Sequence, residues 1–153
     1  MTTILRKAGA VWNDDVKNGD GMISTESKAL YEQPYTFKTR FDPEENSGTN
    51  PEELIAAAHA ACFSMALAST LKKQGYEPKQ VETTATITLM SESGSNEITD
   101  MNLHVRAFVP GLDDASFDEI ISVADENCPV SNLLRNGLKI KFETELLEAA
   151  PAA

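Results

Sequence analysis

Cys62 lies inside the stretch GTNPEELIAAAHAACFSMALAST, residues 48–70, among alanines and beside Phe63 and Met65. Such a setting raises a thiol pKa by desolvation, and left alone Cys62 is inert. No Lys or Arg occurs between Phe41 and Leu71. A cation that makes Cys62 a thiolate must therefore arrive from elsewhere in the fold, and Lys38, Arg40, Arg106 and Arg135 are the candidates. The plain alternative is a core cysteine, since free Cys is among the most buried residue types. The other cysteine, Cys128, stands in NCPVSNLL. It can cap a short helix with Pro129 at the first position, where backbone N–H groups lower a thiol pKa. By these local signals Cys128 is the more reactive thiol; its plain reading is an ordinary helix-ending cysteine.

His59 precedes Cys62 by three residues on the same helix, a spacing that permits a Cys-His nucleophile pair of the thiol-hydrolase kind. The alternative is a core histidine with its hydrogen bonds satisfied. His104 falls on a polar strand face with Asn102 and Arg106, where solvent exposure explains it. Zinc held by His59, Cys62, His104 and Cys128 would lack the paired close ligands of structural zinc sites. Arg40 sits on a mixed face, and Glu52 and Glu53 read as favourable charges at a helix N-terminus.

The elements that must position these residues follow from periodicity. Residues 4–12 and 22–28 read as short strands around the turn-rich NDDVKNGDG, and YTFKTRF alternates as a strand with Tyr35, Phe37, Thr39 and Phe41 on one face. An acidic loop, 42–48, leads to a helix with Asn50 as N-cap, Pro51 at its first position and Glu53 completing the start signal, while Lys72, Lys73 and Gly75 mark its end. From Pro51 to Gln74 that helix runs about 36 Å, and its apolar run, rich in alanine and flanked by polar chain, reads as a buried core helix rather than a membrane span. VETTATITLM and MNLHVRAFV form a hairpin around SESGSNE, with Val81, Thr83, Ala85, Ile87 and Leu89 on one face and Met101, Leu103, Val105, Ala107 and Val109 likewise. Asp113 or Asp114 caps a second helix whose Phe117, Ile120, Ile121 and Ala124 repeat at three and four, ending near Cys128 because Pro129 follows. LKIKFETELL is a last strand. The expected class is α+β, antiparallel sheet packed on a long buried central helix. Residues 1–148 are expected to form one domain, followed by a flexible tail at 149–153.

With 24 acidic against 13 basic residues the net charge is −11, which opposes binding to nucleic acid and to anionic membranes. The first twenty residues carry charges throughout and no apolar run with a cleavage site, so a cytoplasmic location is the default. In a reducing compartment a cysteine pair means redox or metal chemistry, or inert packing.

Taken together, TRF (39–41), GTNPEELIAAAHAACFSMAL and CPVSNLL resemble the OsmC/Ohr family, the osmotically inducible protein C and organic hydroperoxide resistance proteins. TRF followed by PEELIAAAHAACF, together with CPVS, places the sequence nearer the OsmC branch. The resemblance covers most of the chain; loop 42–48 looks longer and more acidic than usual for the family. It implies a thiol-dependent peroxidase that forms an intertwined homodimer, with two antiparallel sheets around two central helices. It makes Cys62 the peroxidatic thiol and Cys128 the resolving thiol, reversing the local ranking, with Arg40 and Glu52 organising the site. The implied cycle reduces an organic hydroperoxide to an alcohol through a sulfenic acid and an intramolecular disulfide. A dithiol, a lipoyl group on a protein partner, resets it, with no metal and no bound organic cofactor. A Cys-His thiol hydrolase and a non-enzymatic binder of an apolar ligand are the alternatives. Glu52 and Cys62 are ten residues apart on one helix, about 15 Å along its axis. Glu52 is therefore expected to serve the Cys62 of the partner subunit, with Arg40 coming either with Glu52 or with Cys62; its closeness in sequence to the helix start favours the Glu52 side.

Overall fold

Gly19 and Gly21 set the first turn and strand of the computed structural model, which describes residues 1–150. A Cβ on Gly19 would meet Asn13 O at 2.1 Å, and one on Gly21 would meet the Tyr35 ring at 2.3 Å. The first position closes the turn after β1 (Ala8–Asn13), where Asp15 Oδ1 accepts from Lys17 N and Asn18 N. The second lets Tyr35 lie across β2 (Asp20–Thr25), donate to Val11 O and reach the Trp12 ring, 5.2 Å between centroids. With β3 (Gln33–Thr36) these strands make an antiparallel sheet in the order β1-β2-β3. The first strand begins later than the apolar residues at its head suggest, since Ile4 and Leu5 are exposed. Of the tail expected at 149–153, residues 151–153 lie outside the described residues.

The strand expected over YTFKTRF stops at Thr36 and becomes a helix, α1 (Phe37–Phe41). Thr36 and Thr39 form a reciprocal capping box: Thr39 N donates to Thr36 Oγ1 and Thr36 N to Thr39 Oγ1. Phe37 and Phe41 share a face in either geometry, which is why alternation misleads here; their rings lie 4.7 Å apart, one helical turn along.

The chain divides at Leu54/Ile55 into two compact units, the first holding β1 to α1 and the start of α2 (Pro51–Lys73). That helix starts and stops as expected. Asn50 Oδ1 accepts from Glu53 N at 2.8 Å. At the other end Gly75, at φ 90°, lets its own N–H reach Lys72 O and the N–H of Tyr76 reach Leu71 O, a Schellman end.

In the second unit, β4 (Gln80–Glu92) and β5 (Ser95–Phe108) form the expected hairpin, turned at Ser93 and Gly94, both with positive φ. Helix α3 (Asp114–Asn127), capped by Asp113, and α4 (Pro129–Leu134), capped by Cys128, then carry the chain over to β6 (Lys139–Leu146). Because two helices intervene, β6 returns parallel to β5, not antiparallel, and the sheet order is β4-β5-β6. Phe63, Leu67 and Leu71 of α2, Met101, Leu103, Val105 and Ala107 of β5, and Phe117, Ile120 and Ala124 of α3 make one core. Only one stripe of α2 is buried, however. Ala57, Ala61, Met65 and Ser69, one turn apart on the opposite stripe, are exposed, Met65 by 74%. By length and composition α2 could cross a membrane; three of its apolar side chains are instead fully buried in the core.

Candidate active site

In the first unit, the local folding of residues 36–52 sets up an arginine-carboxylate pair. Thr39 Oγ1 donates to Thr49 O (2.9 Å) and Asn50 Nδ2 to Thr39 O (3.1 Å). Asn50 thus caps α2 with one side-chain atom and clamps α1 with another. The acidic loop between them is anchored at its end by Thr49 N donating to Pro34 O, at a place where Gly48 approaches Pro34 too closely for a side chain. Arg40, in the last turn of α1, donates from Nε to both carboxylate oxygens of Glu52 (3.2 Å each) and from Nη2 to Oε1 (2.7 Å). The Glu52 side chain is 8% exposed against 37% for Arg40, so the carboxylate is the fixed member and the guanidinium the outward one. The guanidinium also lies over the Phe41 ring, 5.2 Å from its centroid. Beside it opens a cavity of about 410 Å³ walled by Trp12, Val16, Tyr35, Phe37 and Phe41. Such a site joins an apolar wall to a cation whose planar fork is held in place.

In the second unit the two cysteines meet. Cys128 is fully buried at the junction of α3 and α4, where its Sγ accepts from Ser131 N at 3.4 Å. Cys62, half-buried on α2, neighbours the Cys128 thiol and the backbone N–H of Val130, both of which act on its pKa. Both are free thiols. Burial pushes the Cys62 thiol up, the neighbouring Cys128 adds to that, and the Val130 N–H pulls it partly back. Within residues 55–150 no lysine or arginine helps to ionise it. Arg106 is occupied by Glu145 and Glu82 at the sheet surface, and Arg135 by Asp125.

His59 does not pair with Cys62. It is fully buried, and its Nε2 shares a 2.8 Å hydrogen bond with Ser131 Oγ, while Nδ1 has no partner among the described residues. Burial holds the imidazole pKa down, Asp125 raises it and Arg135 lowers it, so the ring is neutral at ordinary pH. Among the described residues no three His, Cys, Asp or Glu side chains cluster as metal ligands. Sequence reasoning missed Val130 and Ser131 as contributors. Their signal was available in CPVS: with Cys128 as cap and Pro129 lacking an N–H, the first free backbone donors of α4 belong to residues 130 and 131. Within the second unit, Cys62 does not line the apolar cavity of about 210 Å³ between Ile55, Ile87, Ile98, Leu133 and Leu138.

Comparison with known proteins adds a third line. The family profile described as "OsmC-like protein" matches residues 44–143. The chain is 46% identical over 141 residues to Peroxiredoxin OsmC of Escherichia coli (strain K12), covering 92% of this chain and 97% of that one. It is 32% identical over 100 residues to the Organic hydroperoxide resistance protein OhrB of Bacillus subtilis (strain 168), covering 65% of this chain and 72% of that one. The crystal structure of OhrB of Bacillus subtilis superposes with a TM-score of 0.71 at 27% identity, covering 91% of this chain and 98% of that chain.

Proposed function

The chain belongs to the OsmC family, and on that footing we propose that it is a thiol-dependent peroxidase reducing organic hydroperoxides to alcohols. The observation that carries the reading is the thiol pair: the chain's two cysteines, 66 positions apart in sequence, are neighbours where α2 meets the start of α4. The names of the relatives, a peroxiredoxin and an organic hydroperoxide resistance protein, supply the substrate class.

Cys62, the more accessible sulfur, attacks the terminal oxygen of the hydroperoxide as a thiolate. The O–O bond breaks, the alkoxide leaves as an alcohol after gaining a proton, and Cys62 becomes a sulfenic acid. Cys128 then displaces the hydroxyl, which departs as water, and the two sulfurs form a disulfide. A dithiol, for which a lipoyl group on a protein partner is our choice, reduces the disulfide. The residues need neither a metal nor a bound organic cofactor for this cycle.

The thiol held up by burial requires a cation, and Arg40 meets that need: Glu52 fixes its guanidinium, and an apolar wall beside it suits an alkyl chain. Ten residues of helix separate Glu52 from Cys62, about 15 Å, so the Arg40–Glu52 pair serves the Cys62 of a partner in a homodimer. The uncovered stripe on α2, Ala57, Ala61, Met65 and Ser69, offers a face for a second helix. A reducing cytoplasm suits a cycle that depends on regenerated thiols, and the net charge of −11 disfavours nucleic acid and membrane surfaces as partners. Against the hydrolase reading, His59 Nε2 is engaged by Ser131.

Intact-mass analysis after one equivalent of an alkyl hydroperoxide tests the function. Loss of two hydrogens as a Cys62–Cys128 disulfide supports it, and protein left unoxidised refutes it.

A further inference from the structure

Two segments carry the sulfurs, and one buried hydrogen bond joins them. His59 stands three residues before Cys62 on α2, and Ser131 three residues after Cys128 on α4; Nε2 and Oγ meet at 2.8 Å with both residues at zero exposure. We infer that the His59–Ser131 hydrogen bond is a positioning contact that seats Cys128 against Cys62 and so sets how fast the sulfenic acid is converted to the disulfide. The inference rests on the peroxidase reading above and concerns its second chemical step.

Three observations carry it. First, fixing Ser131 fixes the first turn of α4, and that turn serves both sulfurs: the N–H of Ser131 points at Cys128 Sγ, and the backbone N–H of Val130 acts to lower the Cys62 thiol pKa. Pro129 has no N–H, so these are the first two donors the turn offers. Second, among the described residues the His59–Ser131 bond is the one side-chain hydrogen bond between α2 and α4, which otherwise packs Val130 and Leu134 on the core and is tied to α3 through Asn132 and Arg135. Helix α4 is six residues long, and Leu133 points outward at 77% exposure. Third, the pair is a poor choice for stability alone. His59 Nδ1 is buried without a partner among the described residues, whereas apolar residues of similar shape at both positions would leave no buried imidazole nitrogen unsatisfied. What the polar pair supplies is direction.

The step it governs balances within the two cysteines. The Cys128 sulfur bonds to the Cys62 sulfur, the Cys62 S–O bond breaks, and the Cys128 proton leaves with the hydroxyl as water. If seating fails, the sulfenic acid survives long enough for a second hydroperoxide to oxidise it to sulfinic acid.

The test compares wild type, His59→Leu, Ser131→Ala, the double variant and His59→Gln. Rapid-quench measurements with cumene hydroperoxide follow two quantities: single-turnover hydroperoxide loss, and the ratio of disulfide to sulfinic acid by mass spectrometry. Disulfide formation is expected to slow by roughly three- to tenfold, the rate equivalent of one oriented hydrogen bond. Sulfinic acid should rise in proportion, with the effect confined to this second step. The double variant is expected to be no worse than either single one, and His59→Gln, which can still reach the hydroxyl, to recover part of the loss. An unchanged ratio in folded variants, or equal slowing of both steps, overturns the inference. Ser131→Ala removes one hydroxyl and keeps the backbone N–H, so it serves if His59→Leu does not fold. Wild-type protein that never consumes hydroperoxide would overturn the peroxidase reading instead, an outcome seen before any variant is compared.

Discussion

At the scale of single residues the proposed chemistry turns on Cys62, a thiol whose pKa its surroundings raise. Burial raises the Cys62 pKa, and the adjacent Cys128 raises it further. A group whose pKa is raised in the folded state is neutral there at lower pH, so ionising it by pH alone demands more alkaline solution and works against folding. If Arg40 supplies the missing charge, Arg40→Met is expected to lower peroxidase activity at neutral pH on the order of 10²-fold, the usual loss for one preorganised donor. Activity of that variant should climb as pH rises through the elevated thiol pKa, where the wild type is already flat. A pH-rate profile of hydroperoxide consumption checks this; parallel profiles would mean that Arg40 does not ionise the thiol. The cysteines themselves divide differently. Cys62→Ser should abolish turnover, while Cys128→Ser should consume about one equivalent and then stall or over-oxidise, because its sulfenic acid has lost the resolving partner. Hydroperoxide titration followed by mass spectrometry separates the two outcomes.

At the scale of elements, what could be read from sequence was what local chemistry decides. Asn50, Pro51 and Gly75 bracket α2 through hydrogen bonds made within a few residues, and the alternation of β4 and β5 reports their half-buried faces directly. Residues 37–41 were misread because Phe37 and Phe41 share a face in a strand and in a helix alike, and the deciding contacts were threonine hydroxyls. The parallel return of β6 and the His59–Ser131 bond, across 72 residues, depend on long-range placement that no window of sequence contains. Cys62, Cys128, Arg40 and Glu52 were singled out as candidates by a family resemblance, not by spacing; local signals favoured Cys128 over Cys62. The threonine contacts lead to a prediction about α1. Thr39→Val removes its hydroxyl from both Thr36 N and Thr49 O, and should cost about 1–2 kcal/mol, the value of a lost cap in a partly buried setting. Because Arg40 follows at once in the same short helix, activity should fall alongside, with KM for a bulky hydroperoxide rising. Denaturant unfolding and steady-state kinetics measure the two effects. A stability loss with unchanged kinetics would show that Arg40 is held by Glu52 alone.

At the scale of the whole molecule the question is what one chain lacks. Its thiol pair has no cation from residues 55–150, its guanidinium is fixed to a carboxylate at the first turn of α2, and an apolar stripe of that helix is uncovered. One helix cannot shorten the ten residues between Glu52 and Cys62, about 15 Å of axial rise. In the homodimer proposed above two antiparallel copies would do so, because the first turn of each would approach the middle of the other. Each of the two sites would combine the thiols of one subunit with the Arg40–Glu52 pair of its partner. In mixed dimers of Cys62→Ser and Glu52→Ala chains, one site collects both defects and the other receives intact groups from each chain. Two inactive preparations, unfolded together and refolded as a mixture, should regain up to about a quarter of wild-type activity, since statistical pairing makes half of the dimers mixed and each restores one of two sites. The measurement is hydroperoxide consumption by the mixture against each variant refolded alone, with heterodimer content quantified by mass. Heterodimers that form and stay inactive would mean that each site is built within one subunit.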